Sequence, residues 1–136
     1  MITSDKQYEA AKKQLVMLTE SLSSPVKKGV PNEIEQAGRA QTQELIDEIQ
    51  EAIDEYHALR NSRPSDVEIH SVDDLMVAPI RYRIAAHMSI DEFGRKVGIS
   101  PRQIARYENE GYQNINSSTF RKILKGLNIL LDGKVA

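Results

Sequence analysis

Residues 89–108 read SIDEFGRKVGISPRQIARYE, and this stretch decides the fold. Ser89 followed three residues later by Glu92 is a capping box, in which each side chain satisfies the other residue's backbone N–H. It predicts a helix running through about Lys96. Val97-Gly98-Ile99 is a tight turn, with Gly98 supplying the left-handed residue that ends a helix. Ser100-Pro101 opens a second helix, serine as N-cap and proline at the first position. Two short helices joined by a Gly-containing turn make a helix-turn-helix. Phe93, Val97 and Ile99 are apolar, and Ile104 and Tyr107, three apart, turn the second helix inward. Arg102, Gln103 and Arg106 share its opposite side. Arg and Gln are the side chains that reach base edges of the major groove in bidentate fashion, from the N-terminal end of such a helix. Ser89, Ser100, Asn114, Asn116 and Ser117 fall at helix starts or loops beside that face, as candidate phosphate donors.

Downstream, a further helix is expected from about Ser118 to Leu127. Upstream, Ser71 caps a short helix with Asp73 and Asp74 in its first turn, and Pro79 marks a fresh helix start. Val67-Glu68-Ile69 and Ile129 to Leu131 are candidate short strands near the two ends of this domain, pairing within the chain or across a dimer. Asn61-Ser62-Arg63-Pro64-Ser65-Asp66 is a polar boundary. Before it lie two longer helices. The first is expected from Ser4 to Leu22, with Tyr8, Ala11, Leu15, Leu18 and Leu22 as a heptad-like seam, ending at Pro25. Residues 24–31 read as a loop. The second is expected from Asn32, as N-cap, to about Leu59, roughly 40 Å long at helical rise. It bears Leu45, Ile49, Ala52, Tyr56 and Leu59, widened by Ile46 and Ile53. A stripe that long must be covered. The first helix covers part as an antiparallel hairpin. Leu45, Ile49, Ile53 and Tyr56 are the expected face for a second copy or another partner.

The expected class is therefore all-α: a helical hairpin over residues 1–62 for dimerisation or partner binding, a linker over 63–71, and a compact helix-turn-helix domain over 72–136. Charge follows the same division. Residues 1–66 hold 8 Lys/Arg against 12 Asp/Glu, whereas residues 81–125 hold 9 against 4, a local net of +5. A polyanion should meet the second half. The chain has no cysteine and three scattered histidines, which argues against thiol chemistry and a metal site. No nucleophile–base pair or phosphate loop is present, so neither an enzyme nor a cofactor is expected. The acidic run from Glu44 to Glu55 reads as a solvated helix face. There is no membrane-length apolar run and no signal-peptide pattern, so the expected compartment is the cytoplasm.

Residues 79–131 resemble the phage-repressor-type (XRE/Cro-like) DNA-binding domain. The resemblance is carried by Arg83, Gly94, Val97-Gly98-Ile99-Ser100 and Tyr107-Glu108. It implies an ion pair between Arg83 and Glu108, and sequence-specific binding of double-stranded DNA as a homodimer that represses transcription from a pseudo-palindromic operator. Gln103-Ile104-Ala105-Arg106-Tyr107-Glu108 with Glu110-Gly111-Tyr112, behind a helical hairpin, also looks like a group of small bacterial regulators, some of them antitoxins of toxin–antitoxin pairs. That likeness implies an alternative in which the hairpin binds a toxin protein and DNA binding serves autoregulation. Two features depart from the family pattern. Pro101 occupies a position that often contacts a base, and the usual fifth helix is missing. Tyr112 either stacks on its loop or approaches a phosphate, and Arg95, Lys96, Arg121, Lys122 and Lys125 read as general steering charges.

Overall fold

The computed structural model describes residues 1–25 and 28–136 and is all-helical. Of the loop expected at 24–31, Val26 and Lys27 lie outside the described residues. The chain divides into two compact units, Met1–Ala58 and Leu59–Ala136. No helix among the described residues is long and apolar enough to cross a membrane.

The first unit is built on two helices. Helix α1 spans Asp5–Ser23, and its N-cap Ser4 accepts the Gln7 N–H at 3.2 Å. Gln7 Oε1 in turn accepts the Thr3 N–H at 2.8 Å. Tyr8, Ala11, Leu15, Leu18 and Leu22 are its half-buried line, spaced 3, 4, 3 and 4. Helix α2 spans Asn32–Arg60. The Pro31 carbonyl accepts the first helical bond, from Glu35, so Asn32 lies one place inside the helix rather than capping it. The covered line of α2 is Thr42, Ile46, Ile49, Ile53 and Tyr56, of which only Ile53 and Tyr56 are buried. Tyr8 and Tyr56 meet with ring centroids 5.4 Å apart, and the Tyr56 hydroxyl donates to Asp5 Oδ1 at 2.8 Å. Arg39 closes the other end. Its guanidinium donates to the Leu22 carbonyl at 2.5 Å, the Ser24 carbonyl at 3.1 Å and Glu35 Oε1 at 2.8 Å. Those carbonyls end α1 and have no partner within the helix.

In the second unit a single 3-10 turn, Pro64–Asp66, precedes helix α3, Val72–Ala85. Ser71 caps α3 by accepting the Asp74 N–H at 3.0 Å. Pro79 does not start a new helix: α3 runs through it. Proline removes one backbone bond, but Pro79 is fully buried, and packing against the core offsets that loss. Helices α4 (Ile90–Val97), α5 (Pro101–Asn109) and α6 (Ser117–Gly126) complete the unit. Phe93, Ile104, Ile123 and Tyr112 lie at its centre with no exposed surface.

The two expected strands are absent among the described residues. Val67 and Ile69 are half-buried and alternate with exposed Glu68 and His70, as a strand would. They line one cleft of about 310 Å³ together with Ala78, Tyr82, Leu127 and Ile129. No backbone hydrogen bond joins the two segments, and side-chain alternation without a ladder does not make a sheet.

Candidate nucleic-acid interface

The α4–turn–α5 segment is assembled by short-range caps and one close approach. Ser89 Oγ accepts the Glu92 N–H at 3.1 Å, and Glu92 Oε1 accepts the Ser89 N–H at 3.3 Å. Gly98 ends α4 at φ 74°, in the left-handed region that favours glycine. Gly94 is constrained differently: a Cβ there would stand 2.5 Å from the Ile99 carbonyl oxygen. Only a bare Cα lets the turn fold back this tightly. Ser100 then caps α5 by accepting the Gln103 N–H at 3.3 Å.

Helix α5 is sharply two-sided. Ile104, Tyr107 and Glu108 are buried, while Arg102, Gln103 and Arg106 are exposed. Arg106 leans over the Tyr107 ring, 5.2 Å from its centroid. That stacking holds the guanidinium without consuming its charge. Of the remaining polar residues singled out from the sequence, Asn116 caps α6, its Oδ1 accepting the Thr119 N–H at 2.8 Å and the Ser118 hydroxyl at 3.0 Å. Asn114 and Ser117 are exposed, in the α5–α6 loop and the first turn of α6. The side-chain oxygens of Ser89, Ser100 and Asn116 are thus occupied as acceptors. Their hydroxyl or amide hydrogens remain available as donors, alongside the N–H groups of each helix start.

Beneath α5 lies an ion pair. Arg83 of α3 donates through Nε to Glu108 Oε2 at 2.6 Å and through Nη2 to Glu108 Oε1 at 2.8 Å. The two side chains are 8% and 4% exposed. Arg83 Nη1 also reaches the Met88 carbonyl at 3.0 Å, in the α3–α4 connection where His87 is left-handed at φ 56°. One arginine therefore ties the end of α3, the approach to α4 and helix α5 together. A fork-to-fork pair fixes orientation as well as distance.

Two residues have roles that their sequence position did not reveal. Lys122 of α6 is a tether as well as a surface charge: its Nζ donates to the Gly98 carbonyl at 3.1 Å and so holds the turn of the motif. Tyr112 is fully buried, at φ 59°, with its ring 5.8 Å from Tyr107 and 6.1 Å from Phe120. It is a core residue and does not approach a phosphate. Its hydroxyl is buried without a hydrogen-bond partner. Burial, followed by the nearby Glu108 carboxylate, pushes its ionisation well above the usual tyrosine range.

Compared with known families, residues 80–133 match the helix-turn-helix family model. Those residues are a helix-turn-helix domain of the XRE type. The match covers less than half of the chain and spans α4, α5 and α6 together with the second half of α3. The match supports DNA binding and transcriptional regulation as the role of this segment. Neither the curated proteins nor the solved structures include a match to the chain. The N-terminal hairpin lies outside the matched segment.

The hairpin residues expected to face a partner divide in two. Ile53 and Tyr56 are buried inside the first unit, and Ile49 belongs to the same covered line. Leu45 stands off it and is 39% exposed. The face expected from the sequence mixed two adjacent lines of one helix, because α1 covers the line one residue further on.

Proposed function

We propose that the protein is a repressor that binds a pseudo-palindromic operator as a homodimer through the major groove. The observation that carries this reading is the two-sidedness of α5, which turns Arg102, Gln103 and Arg106 outward on a braced helix. In this reading those three side chains contact base edges. Ser89, Ser100, Asn114, Asn116 and Ser117 donate to backbone phosphates. A second copy is supported by the chain after α6, where Leu130 is 93% exposed beside the cleft that Val67, Ile69 and Tyr82 line. Two such domains related by a two-fold axis read half-sites about 34 Å apart.

The test is a titration against the protein's own upstream promoter and a random duplex, at two salt concentrations. Arg102→Ala and Arg106→Ala should each cost about 1–3 kcal/mol on the promoter and relax one operator position. Unchanged affinity and specificity in either variant would remove that residue from readout. Equal, steeply salt-dependent binding of both duplexes would reduce the surface to a general polyanion contact.

A second reading is favoured by the charge of α2. Glu44, Asp47, Glu48, Glu51, Asp54 and Glu55 follow one another with no Lys or Arg between residues 40 and 59. The hairpin of residues 1–62 then binds a basic partner protein, as an antitoxin binds its toxin, while residues 72–136 bind DNA for autoregulation. A gene for a small basic protein beside this one, and co-purification of the two products, would favour it.

A further inference from the structure

We propose that an outer line of α2 docks a basic amphipathic helix of a partner protein. The proposal rests on the second reading above and adds the surface and the chemistry that recognises it. Helix α1 covers the line Thr42, Ile46, Ile49, Ile53 and Tyr56. Beside it on α2 runs a second line, Ile34, Gly38, Gln41, Leu45, Glu48 and Ala52, spaced 4, 3, 4, 3 and 4. Ile34 is 63% and Leu45 39% exposed, and the space over Gly38 is empty to 4 Å from where a Cβ would stand. At the loop end of the hairpin Ile34 and Gly38 also border a cleft of about 310 Å³, walled by Leu22, Pro25 and Val30. The line therefore offers two exposed apolar side chains, Ile34 and Leu45, about three turns apart, with a cleft at its loop end that Arg39 and Thr42 also border.

Charge selects the occupant. Five carboxylates, Glu44, Asp47, Glu48, Glu51 and Asp54, lie along the same half of α2, and the sequence has no Lys or Arg between residues 40 and 59. Asp47 and Asp54 are met by the amides of Gln43 and Gln50, at 2.9 Å each, rather than by cations. A second copy placed on this stripe by a two-fold axis would bring both acidic rows to one interface. Nucleic acid is repelled for the same reason. A helix with apolar anchors at three- and four-residue spacing and Lys/Arg beside them satisfies both the stripe and the rim.

The experiment uses the full chain and two synthetic 20-residue helical peptides with the same leucine stripe. One is flanked by lysine and arginine, the other by glutamate. Binding is followed by amide chemical shifts and by calorimetry at two salt concentrations. The basic peptide should bind, shift the amides of residues 34–52 and weaken steeply with salt, while the glutamate peptide should not bind. Leu45→Asp should lower the affinity at least tenfold with an unchanged melting curve, because that side chain is already partly in water. Converting Glu44, Glu48 and Glu51 to Gln should flatten the salt dependence. If the basic peptide shifts only amides elsewhere in residues 1–58, the stripe is wrong and the partner-binding reading survives. If neither peptide binds those residues, both are overturned. If Leu45→Asp turns a dimer into a monomer on sedimentation, the stripe belongs to a second copy and the proposal falls.

Discussion

In the helix-turn-helix unit Phe93, Ile104, Ile123 and Tyr112 are completely enclosed, whereas no residue of α1 in the hairpin is buried at all. The first unit relies on one seam whose side chains are half-buried except for Ile53 and Tyr56, on hydrogen bonds of Tyr56 and Arg39 at its two ends, and on a ring contact between Tyr8 and Tyr56. The second surrounds a core from four directions and locks it with a bidentate ion pair. Burial contributes about 25 cal/mol per Å² of apolar surface, so a seam that leaves its members half in water yields much less per residue. The difference separates two tasks. On the proposed reading, a surface that reads DNA must hold its side chains still before DNA arrives, and the enclosed core under α5 serves that end. A hairpin with an open second stripe keeps apolar surface in reserve.

The largest effect expected from breaking this contrast is at the ion pair. Glu108→Ala leaves the buried Arg83 guanidinium without its carboxylate and should cost about 3–5 kcal/mol, read by urea unfolding of the second unit. A loss below 1 kcal/mol would mean that solvent reaches Arg83 easily and that the lock is weak. Gly94→Ala comes next. Its methyl meets the Ile99 carbonyl at 2.5 Å, so α4 and the turn must separate, at about 1–3 kcal/mol and with weaker operator binding. Wild-type stability in that variant would show that the turn yields freely.

Tyr112→Phe should act in the opposite direction. Removing a buried hydroxyl that has no partner should gain about 1 kcal/mol. The variant also has a pH signature. Above the ordinary tyrosine value the unfolded chain releases a proton that the native state retains, so stability falls as pH rises through about 10. The phenylalanine variant should lose that part of the alkaline decline, measured as melting temperature from pH 8 to 11. The smallest effect belongs to the hairpin. Tyr56→Phe removes the bond to Asp5 and should cost about 0.5–1.5 kcal/mol of the first unit, with operator affinity unchanged. A larger loss would mean that the hairpin is better closed than its half-buried seam suggests.

The second unit was readable in the sequence because its punctuation is local. Ser89 with Glu92, Gly98, and Ser100 with Pro101 are signals that act within three or four residues, and they place two helices and the turn without tertiary information. Pro79 misled because its cost is local while its compensation, complete burial, is not. Lys122 and Arg39 were opaque for a related reason. Each caps a helix 24 or 17 residues away in sequence, and no spacing rule marks such a partner. The covered face of α2 was ambiguous because two apolar lines run side by side along it. Only the placement of α1 decides between them. Tyr112 could not be assigned because a left-handed tyrosine in a loop gives no sign of turning inward.

The absence of any enclosed side chain in α1 has a kinetic consequence. Amide protons exchange through the least costly opening that exposes them, and different parts of one protein open independently. Amides of α1 should therefore exchange with deuterium by partial opening of the hairpin, long before those of α3 to α6, which wait for the core to come apart. Added protease should find the same opening first, cutting within α1. An occupant of the hairpin would slow both processes in residues 1–58 while leaving the exchange of α5 untouched. Protection mapped along the chain would then register a bound partner as a change in lifetime, even where the folded conformation stays the same.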